Sequence, residues 1–322
     1  MGEAMRSLSL KGMTKVPVGN HSGARYDLVH EDCFLWMRNR EEATVEAIVT
    51  DPPFGLVEYS DDQLTKLQAG KGGVWRIPPE LDGVQRKPLP RFTVLRQHEV
   101  DSLVTFFERW GREALRILVP GAHLIIAGNP LLSPLVASAL MAVGFERRGE
   151  IIRLVRTLRG GDRPKLAERE YGGVSVMARS CYEPWGVFRK PLRERTVADN
   201  LRRWKTGGLR RTPDGRPFPD VLKSETPPAN EEAIAPHPSL KPQRFMRQIA
   251  WAALPLGEGV VLDPFMGSGS TVSAAVAVGY KAIGIEKQRD FFVMAERAVP
   301  KLAVLDVNWE SFESYNGGNS RS

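Results

Sequence analysis

The stretch Val260-Val261-Leu262-Asp263-Pro264-Phe265-Met266-Gly267-Ser268-Gly269-Ser270-Thr271 reads as a strand, a glycine-rich turn and the opening of a helix. Gly267 and Gly269 let the backbone approach a ligand and take φ values that other residues resist. A helix expected over Thr271–Val278 opens with free N–H groups, suited to a carboxylate or a polar ligand edge. No Gly-Lys-Ser/Thr follows, so this is not a Walker loop; Gly267-x-Gly269 runs on to Val272, so it is not the G-x-G-x-x-G dinucleotide fingerprint. Further on, Tyr280-Lys281-Ala282-Ile283-Gly284-Ile285 forms a second strand ending in Glu286. In open α/β sheets an acid at that tip holds a ribose diol. The pattern points to a nucleoside cofactor, with Glu286 as a helix cap the structural alternative.

Upstream, the apolar run Ala47-Ile48-Val49-Thr50 is followed at once by Asp51-Pro52-Pro53-Phe54. Two prolines fix φ and remove two backbone donors, so the strand stops in a stiff, carbonyl-rich tip. That tip presents one carboxylate and one ring at the carboxyl end of a strand, where open α/β sheets bind ligands. A carboxylate and a backbone carbonyl together accept both hydrogens of a planar exocyclic amine. The nitrogen lone pair, no longer conjugated with its ring, is then free to attack an electrophilic methyl group. Phe54 would stack on the base.

With both segments read, the chain resembles the S-adenosylmethionine-dependent amino-methyltransferases that act on DNA, the adenine-N6 and cytosine-N4 family. These carry a [D/N/S]-P-P-[F/Y/W] tetrapeptide, here Asp51-Pro52-Pro53-Phe54, and an F-x-G-x-G loop, here Phe265-Met266-Gly267-Ser268-Gly269. The catalytic tetrapeptide comes first, which matches the β-type order, with the target-recognition region between the two. Leu28-Val29-His30-Glu31-Asp32-Cys33 resembles the family's acidic strand end, and His237-Pro238-Ser239-Leu240-Lys241-Pro242 its H-P-x-x-K-P segment. The resemblance implies catalytic Asp51, Pro52, Pro53 and Phe54. It implies a cofactor set of Asp32, Cys33, His237, Ser239, Lys241, Asp263, Pro264, Phe265, Gly267, Ser268, Gly269, Thr271 and Glu286. Within it, Lys241 would hold the cofactor carboxylate and Glu286 the ribose, with Asp263 a rival for its polar groups. Asp at the first motif position is more usual in the adenine enzymes, so adenine N6 in double-stranded DNA is the expected target. Cytosine N4 stands as the alternative. An RNA methyltransferase, or a non-catalytic DNA-binding protein on the same fold, stays open, as does the pairing with a cognate restriction endonuclease.

The net charge of +7 is unevenly placed. Residues 147–216 hold 19 Lys and Arg against eight Asp and Glu, a local excess of +11, so the remainder sums to −4. A basic region on a mildly acidic body is the footprint of a nucleic-acid binder. Arginine dominates it, with aromatics between, and Arg202, Arg203, Lys205, Arg210 and Arg211 are the expected DNA contacts. No apolar run approaches the roughly 20 residues of a bilayer span, and no signal-like segment opens the chain, which points to a cytoplasmic protein. Two cysteines imply no disulfide framework, and no ligand pair with metal spacing accompanies Cys33, so no metal is expected.

Alternating strand and helix patterns argue for a doubly wound, mostly parallel α/β sheet of the Rossmann-like methyltransferase kind, with an inserted basic target-recognition lobe. The expected divisions are a flexible arm at 1–24, a catalytic half at 25–155 with a functional loop at 55–98, the basic region at 156–235, the cofactor half at 236–310 and a tail at 311–322. Helix Val100–Leu118 is expected to stop at Pro120-Gly121, and periodicity fades between 156 and 235. Helix Gln243–Ala253 is apolar on more than one stripe and needs a second burial partner, either the basic lobe or the other subunit of a homodimer.

Overall fold

The computed structural model describes residues 26–53, 97–159, 164, 166–178, 180–237 and 239–312. Phe54, most of the loop at 55–98, the arm at 1–24 and the end of the tail lie outside the described residues. The strands are β1 (Tyr26–His30), β2 (Val45–Thr50), β3 (Leu118–Ala127), β4 (Glu146–Arg159), β5 (Ser180–Arg189), β6 (Val221–Lys223), β7 (Val260–Asp263) and β8 (Lys281–Glu286). The described helices are α1 (Cys33–Arg38), α2 (Gln97–Ile117), α3 (Ser133–Ala142), α4 (Val197–Trp204), α5 (Ala229–Ile234), α6 (Gln243–Ala253), α7 (Ser270–Ala277) and α8 (Arg289–Ala303).

One eight-stranded sheet runs in the order β1-β8-β7-β2-β3-β5-β4-β6. All neighbours are parallel except where β5 pairs with β3 and β4. β3 is buried at all ten positions, as a strand covered on both faces must be. One face packs α6, α7 and α8 through Phe245, Ile249, Val272 and Ala295. The other packs α1, α2 and α3 through Trp36, Phe107, Trp110 and Leu140. Alternation along β7 feeds both layers: Val261 faces the first and Leu262 the second. From β2 the chain winds outward to β3; from β7 it winds the opposite way to β8. The order therefore reverses between β7 and β2, and ligands bind outside the carboxyl ends at such a point.

Two expectations are corrected. Pro120-Gly121 does not separate α2 from the next strand, because β3 starts at Leu118, directly after Ile117. Between the pairs Val45↔Leu118 and Ala47↔His123 the register slips, and Pro120 and Gly121 occupy the resulting bulge. The Pro120 carbonyl there accepts from Asn200 Nδ2 at 2.9 Å and Thr206 Oγ1 at 2.7 Å. Nor is 156–235 a lobe apart from the sheet, since β5 lies inside it between β3 and β4, and β6 forms its edge. Pro184 and Gly186 mask β5 in the sequence. Gly186 leaves room for the Phe188 ring, which would stand 2.7 Å from an added Cβ. β3 ends at the pair Ala127↔Trp185, β6 accompanies β4 as far as Leu154↔Lys223, and past that point β4 and β5 continue as a two-stranded arm to Arg159↔Ser180.

The second apolar stripe of α6 is covered by the chain's own C-terminal segment. Gln248 Nε2 donates to the Trp309 carbonyl at 3.0 Å, Trp251 packs on Trp309 at 5.2 Å, and Arg244 bonds Ser311. The burial need that suggested a homodimer is thus met within the chain.

Candidate active site

Both motifs arrive at the reversal point on neighbouring strands. β2 ends at Thr50 and delivers Asp51; β7 ends at Asp263 and delivers the glycine turn. Thr50 Oγ1 donates to Asp263 Oδ1 at 2.6 Å, and the Phe265 N–H donates to the same oxygen at 3.1 Å. Asp263 is therefore a latch between the strand ends. Burial pushes its carboxyl up to about 6, against the hydroxyl and N–H that favour the anion.

A cavity of about 410 Å³ opens beside this latch. Its walls include Asp32, Cys33, Asp51, Pro53, His237, Ser239, Lys241 and Glu286, together with Pro264, Phe265, Gly267, Ser268 and Thr271 from the turn. The size suits a drug-sized ligand. Phe265, Phe34, Met266 and Phe291 supply apolar surface. Glu286 stands at the tip of β8, accepting from Gly267 N at 3.0 Å and Gln288 N at 2.7 Å. Desolvation raises its carboxyl above the usual range. Asp32 caps α1 by accepting from Phe34 N at 2.9 Å and pairs with Lys287 at 3.0 Å. Burial opposes its ionisation, but the Lys287 ammonium and the helix N–H outweigh that and hold it below the ordinary value. Cys33 is buried, and desolvation pushes its thiol up to about 12, so it packs and does not react.

The two glycines of the turn differ in role. Gly267, at φ +52°, faces the cavity, where an added Cβ would come 3.2 Å from the His237 ring. Gly269, at φ +87°, faces away: its Cβ would meet Val299 of α8 at 2.3 Å. The expectation that both glycines admit a ligand is corrected for Gly269, which lets helix and turn pack closely.

Lys241 does not wait for a cofactor carboxylate. Its ammonium donates to Asp51 Oδ2 and lies 3.8 Å from Glu183. The other Asp51 oxygen, Oδ1, is buried and has no donor among the described residues. Burial raises the Asp51 carboxyl, Lys241 opposes that shift, and Glu183 adds to it. His237 also offers a buried Nε2 without a partner, and burial and Lys241 depress its imidazole to about 4, so it is neutral. Glu183 escaped the sequence reading because β5 did, and nothing local ties it, or its partner Arg153 on β4, to residue 51.

The five expected DNA contacts sit elsewhere. α4 packs against the start of β3 through Asn200, with Arg202 paired to Asp199 at 2.6 Å and Arg203 to Glu194 at 3.2 Å. Lys205 is the left-handed cap of α4. Arg210 stacks 3.4 Å over Trp251 and donates to Tyr280 Oη at 2.8 Å, while Arg211 donates to the Gly215 carbonyl at 2.8 Å. Tyr280 directly precedes β8, so this cluster lies at the amino-terminal ends of the parallel strands, opposite Asp51 and Glu286. Among the described residues no metal-binding cluster occurs, and no helix is long and apolar enough to cross a membrane.

A doubly wound sheet with a proline tip and a glycine turn flanking its reversal point defines a Rossmann-like methyltransferase. The family model described as DNA methylase, of the N6/N4 class, matches residues 45–297, and the chain belongs to that family. It is similar to the Type II methyltransferase M2.DpnII of Streptococcus pneumoniae, 23% identical over 84% of this chain and 88% of that protein. It is equally similar to M.HindIII of Haemophilus influenzae, 23% identical over 83% and 93%. The fold matches the cytosine-N4-specific PvuII DNA methyltransferase with a TM-score of 0.56 at 14% identity, covering 89% of each chain. It also matches a protein assigned as a DNA modification methylase from Thermus thermophilus, solved with S-adenosyl-L-methionine (TM-score 0.54, 20% identity, 86% and 95% covered). The chain is an S-adenosylmethionine-dependent DNA methyltransferase.

Proposed function

We propose that this enzyme methylates the exocyclic amine of a flipped base in double-stranded DNA, at adenine N6, in a site-specific manner. The observation that carries the reading is the Asp51 carboxylate, with one oxygen held by Lys241 and the other buried, bare and beside the cavity. A buried acceptor without a donor is costly, and an amine N–H satisfies it. The Pro52 carbonyl, next to Asp51 at the stiff strand end, is the natural second acceptor. With both hydrogens accepted, electron density gathers on nitrogen, and Asp51 need not remove a proton before attack. Phe54, outside the described residues, is the candidate stacking ring.

The cavity fits S-adenosylmethionine, which supplies the electrophilic methyl group. Glu286 stands where ribose hydroxyls can donate, the Gly267 backbone admits close approach, and Phe34, Phe265 and Phe291 offer surface to an adenine ring. Asp32 and the His237 edge are candidates for the cofactor's polar groups. With Lys241 engaged by Asp51, its role moves from the cofactor to the catalytic carboxylate. A base inside a duplex cannot reach Asp51, so it must leave the stack. DNA then approaches the carboxyl edge of the sheet, where the β4–β5 arm carries the positions of Arg156 and Arg159, with exposed Arg169, Tyr171 and Tyr182 nearby.

Nucleosides from duplex DNA treated with enzyme and cofactor, separated by mass spectrometry, test the target. N6-methyldeoxyadenosine is expected. N4-methyldeoxycytidine would replace the base assignment while keeping the amine chemistry, and 5-methyldeoxycytidine would refute the amine chemistry itself.

A further inference from the structure

We propose that Glu183 and Arg153 are positioning residues of the methyl transfer, acting through Lys241 to set the field at Asp51 and to hold one of its oxygens while the other is turned to the target amine. This rests on the amine reading of Asp51.

Four charges alternate from the proline tip into the sheet: Asp51, Lys241, Glu183 and Arg153. Lys241 bridges Asp51 and Glu183, and Arg153 Nη1 lies 3.5 Å from Glu183 Oε2. All four side chains are largely buried, with exposures of 15%, 8%, 16% and 7% respectively. Buried ion pairs seldom add stability beyond what apolar side chains of like volume would give, so three in a row call for another use.

The far end is fixed firmly. Arg153 donates to Ser224 Oγ at 2.9 Å and the Glu225 carbonyl at 3.0 Å, and its guanidinium lies over the Phe245 ring. Glu183 takes the Trp185 indole N–H on Oε1 at 2.9 Å, leaving Oε2 toward both cations. Lys241 thus bonds Asp51 directly and has the Glu183 carboxylate on its other side at 3.8 Å. Opposing influences meet at Asp51. Burial and Glu183 disfavour its anion; Lys241 and Arg153 favour it. Asp51 in turn helps to raise the neighbouring Asp263 carboxyl. Neutral His237, on the Lys241 loop, adds no charge.

Single-turnover methyl transfer to duplex DNA, followed against pH, reads this field directly. Rate is expected to fall as pH drops through the Asp51 titration, because the protonated carboxyl no longer accepts from the amine. Glu183→Gln removes an anion, so the acid limb should move to lower pH. Arg153→Gln removes a cation, so it should move to higher pH. Glu183→Asp and Arg153→Lys keep the charges while disturbing packing, and their limbs should stay at the wild-type position. Cofactor affinity by calorimetry should remain at the wild-type value in all four. Limbs of the two Gln variants that stay put, or shift in the same direction, overturn the proposal and leave the chain of charges purely structural. Failure of the amine reading shows separately, as undiminished turnover by Asp51→Ala, and would remove both.

Discussion

Asp263 is a buried carboxylate bound to Thr50 and Phe265, with its titration raised to about 6 from an ordinary 3.8. A raised folded value means the folded state binds the proton more tightly, so its contribution favours folding at low pH and is lost as pH rises from about 4 to 6. Asp263→Asn mimics the protonated group. Its stability relative to wild type, by denaturant titration, should therefore increase across that window, by up to about 3 kcal/mol. Two glycines separate binding from packing. Gly267→Val forces a branched side chain onto His237 at positive φ and should weaken cofactor binding by about tenfold or more, read by calorimetry. Gly269→Ala should leave that affinity alone and cost about 1–3 kcal/mol of stability against Val299. The two central motifs were legible from sequence because each sits at a strand end marked by Pro or Gly, Asp51 before two prolines and Asp263 before the glycine turn. Partnerships were not: Lys241 and Asp51 are 190 positions apart, and spacing alone cannot say that their charges meet.

At the level of elements, the strands and helices with clean periodicity appear where the sequence places them, α6 at the same bounds. β5 does not, because Pro184 and Gly186 interrupt its pattern and only pairing with β3 and β4 makes it a strand. With β5 unread, net charge alone located the basic residues, and charge carries no information about which end of a sheet it occupies. The structure separates two groups. Replacing Arg202, Arg203 and Arg211 with Ala should leave the salt dependence of DNA binding unchanged. Replacing Arg156, Arg159 and Arg169 should lower the log–log slope by roughly one for each phosphate no longer neutralised. Arg210→Ala should instead lower thermal stability, since it uncovers Trp251 and leaves the Tyr280 hydroxyl without its donor. A lower slope for the Arg202, Arg203 and Arg211 variant, with the wild-type slope kept by the other, would return DNA to the opposite end of the sheet.

Across the whole molecule, the reversal of strand order between β7 and β2 explains why two motifs over 200 residues apart serve one site. In the proposed reading each strand end supplies one half, the cofactor turn on β7 and the amine acceptor on β2, and the Thr50–Asp263 bond joins the two ends. The charge chain through β5 and β4 joins the carboxylate to the arm that we propose meets DNA. The central claim is that Asp51 receives the target amine, and the methyl-transfer rate of Asp51→Ala tests it most directly. Radiolabelled methyl incorporation into duplex DNA is measured in a single turnover, with calorimetric cofactor binding on the same preparation as the check that the variant folds. The expected result is loss of methyl transfer with cofactor affinity close to wild type, because Asp51 faces the base and Glu286 the cofactor. Incorporation at the wild-type rate would contradict the account.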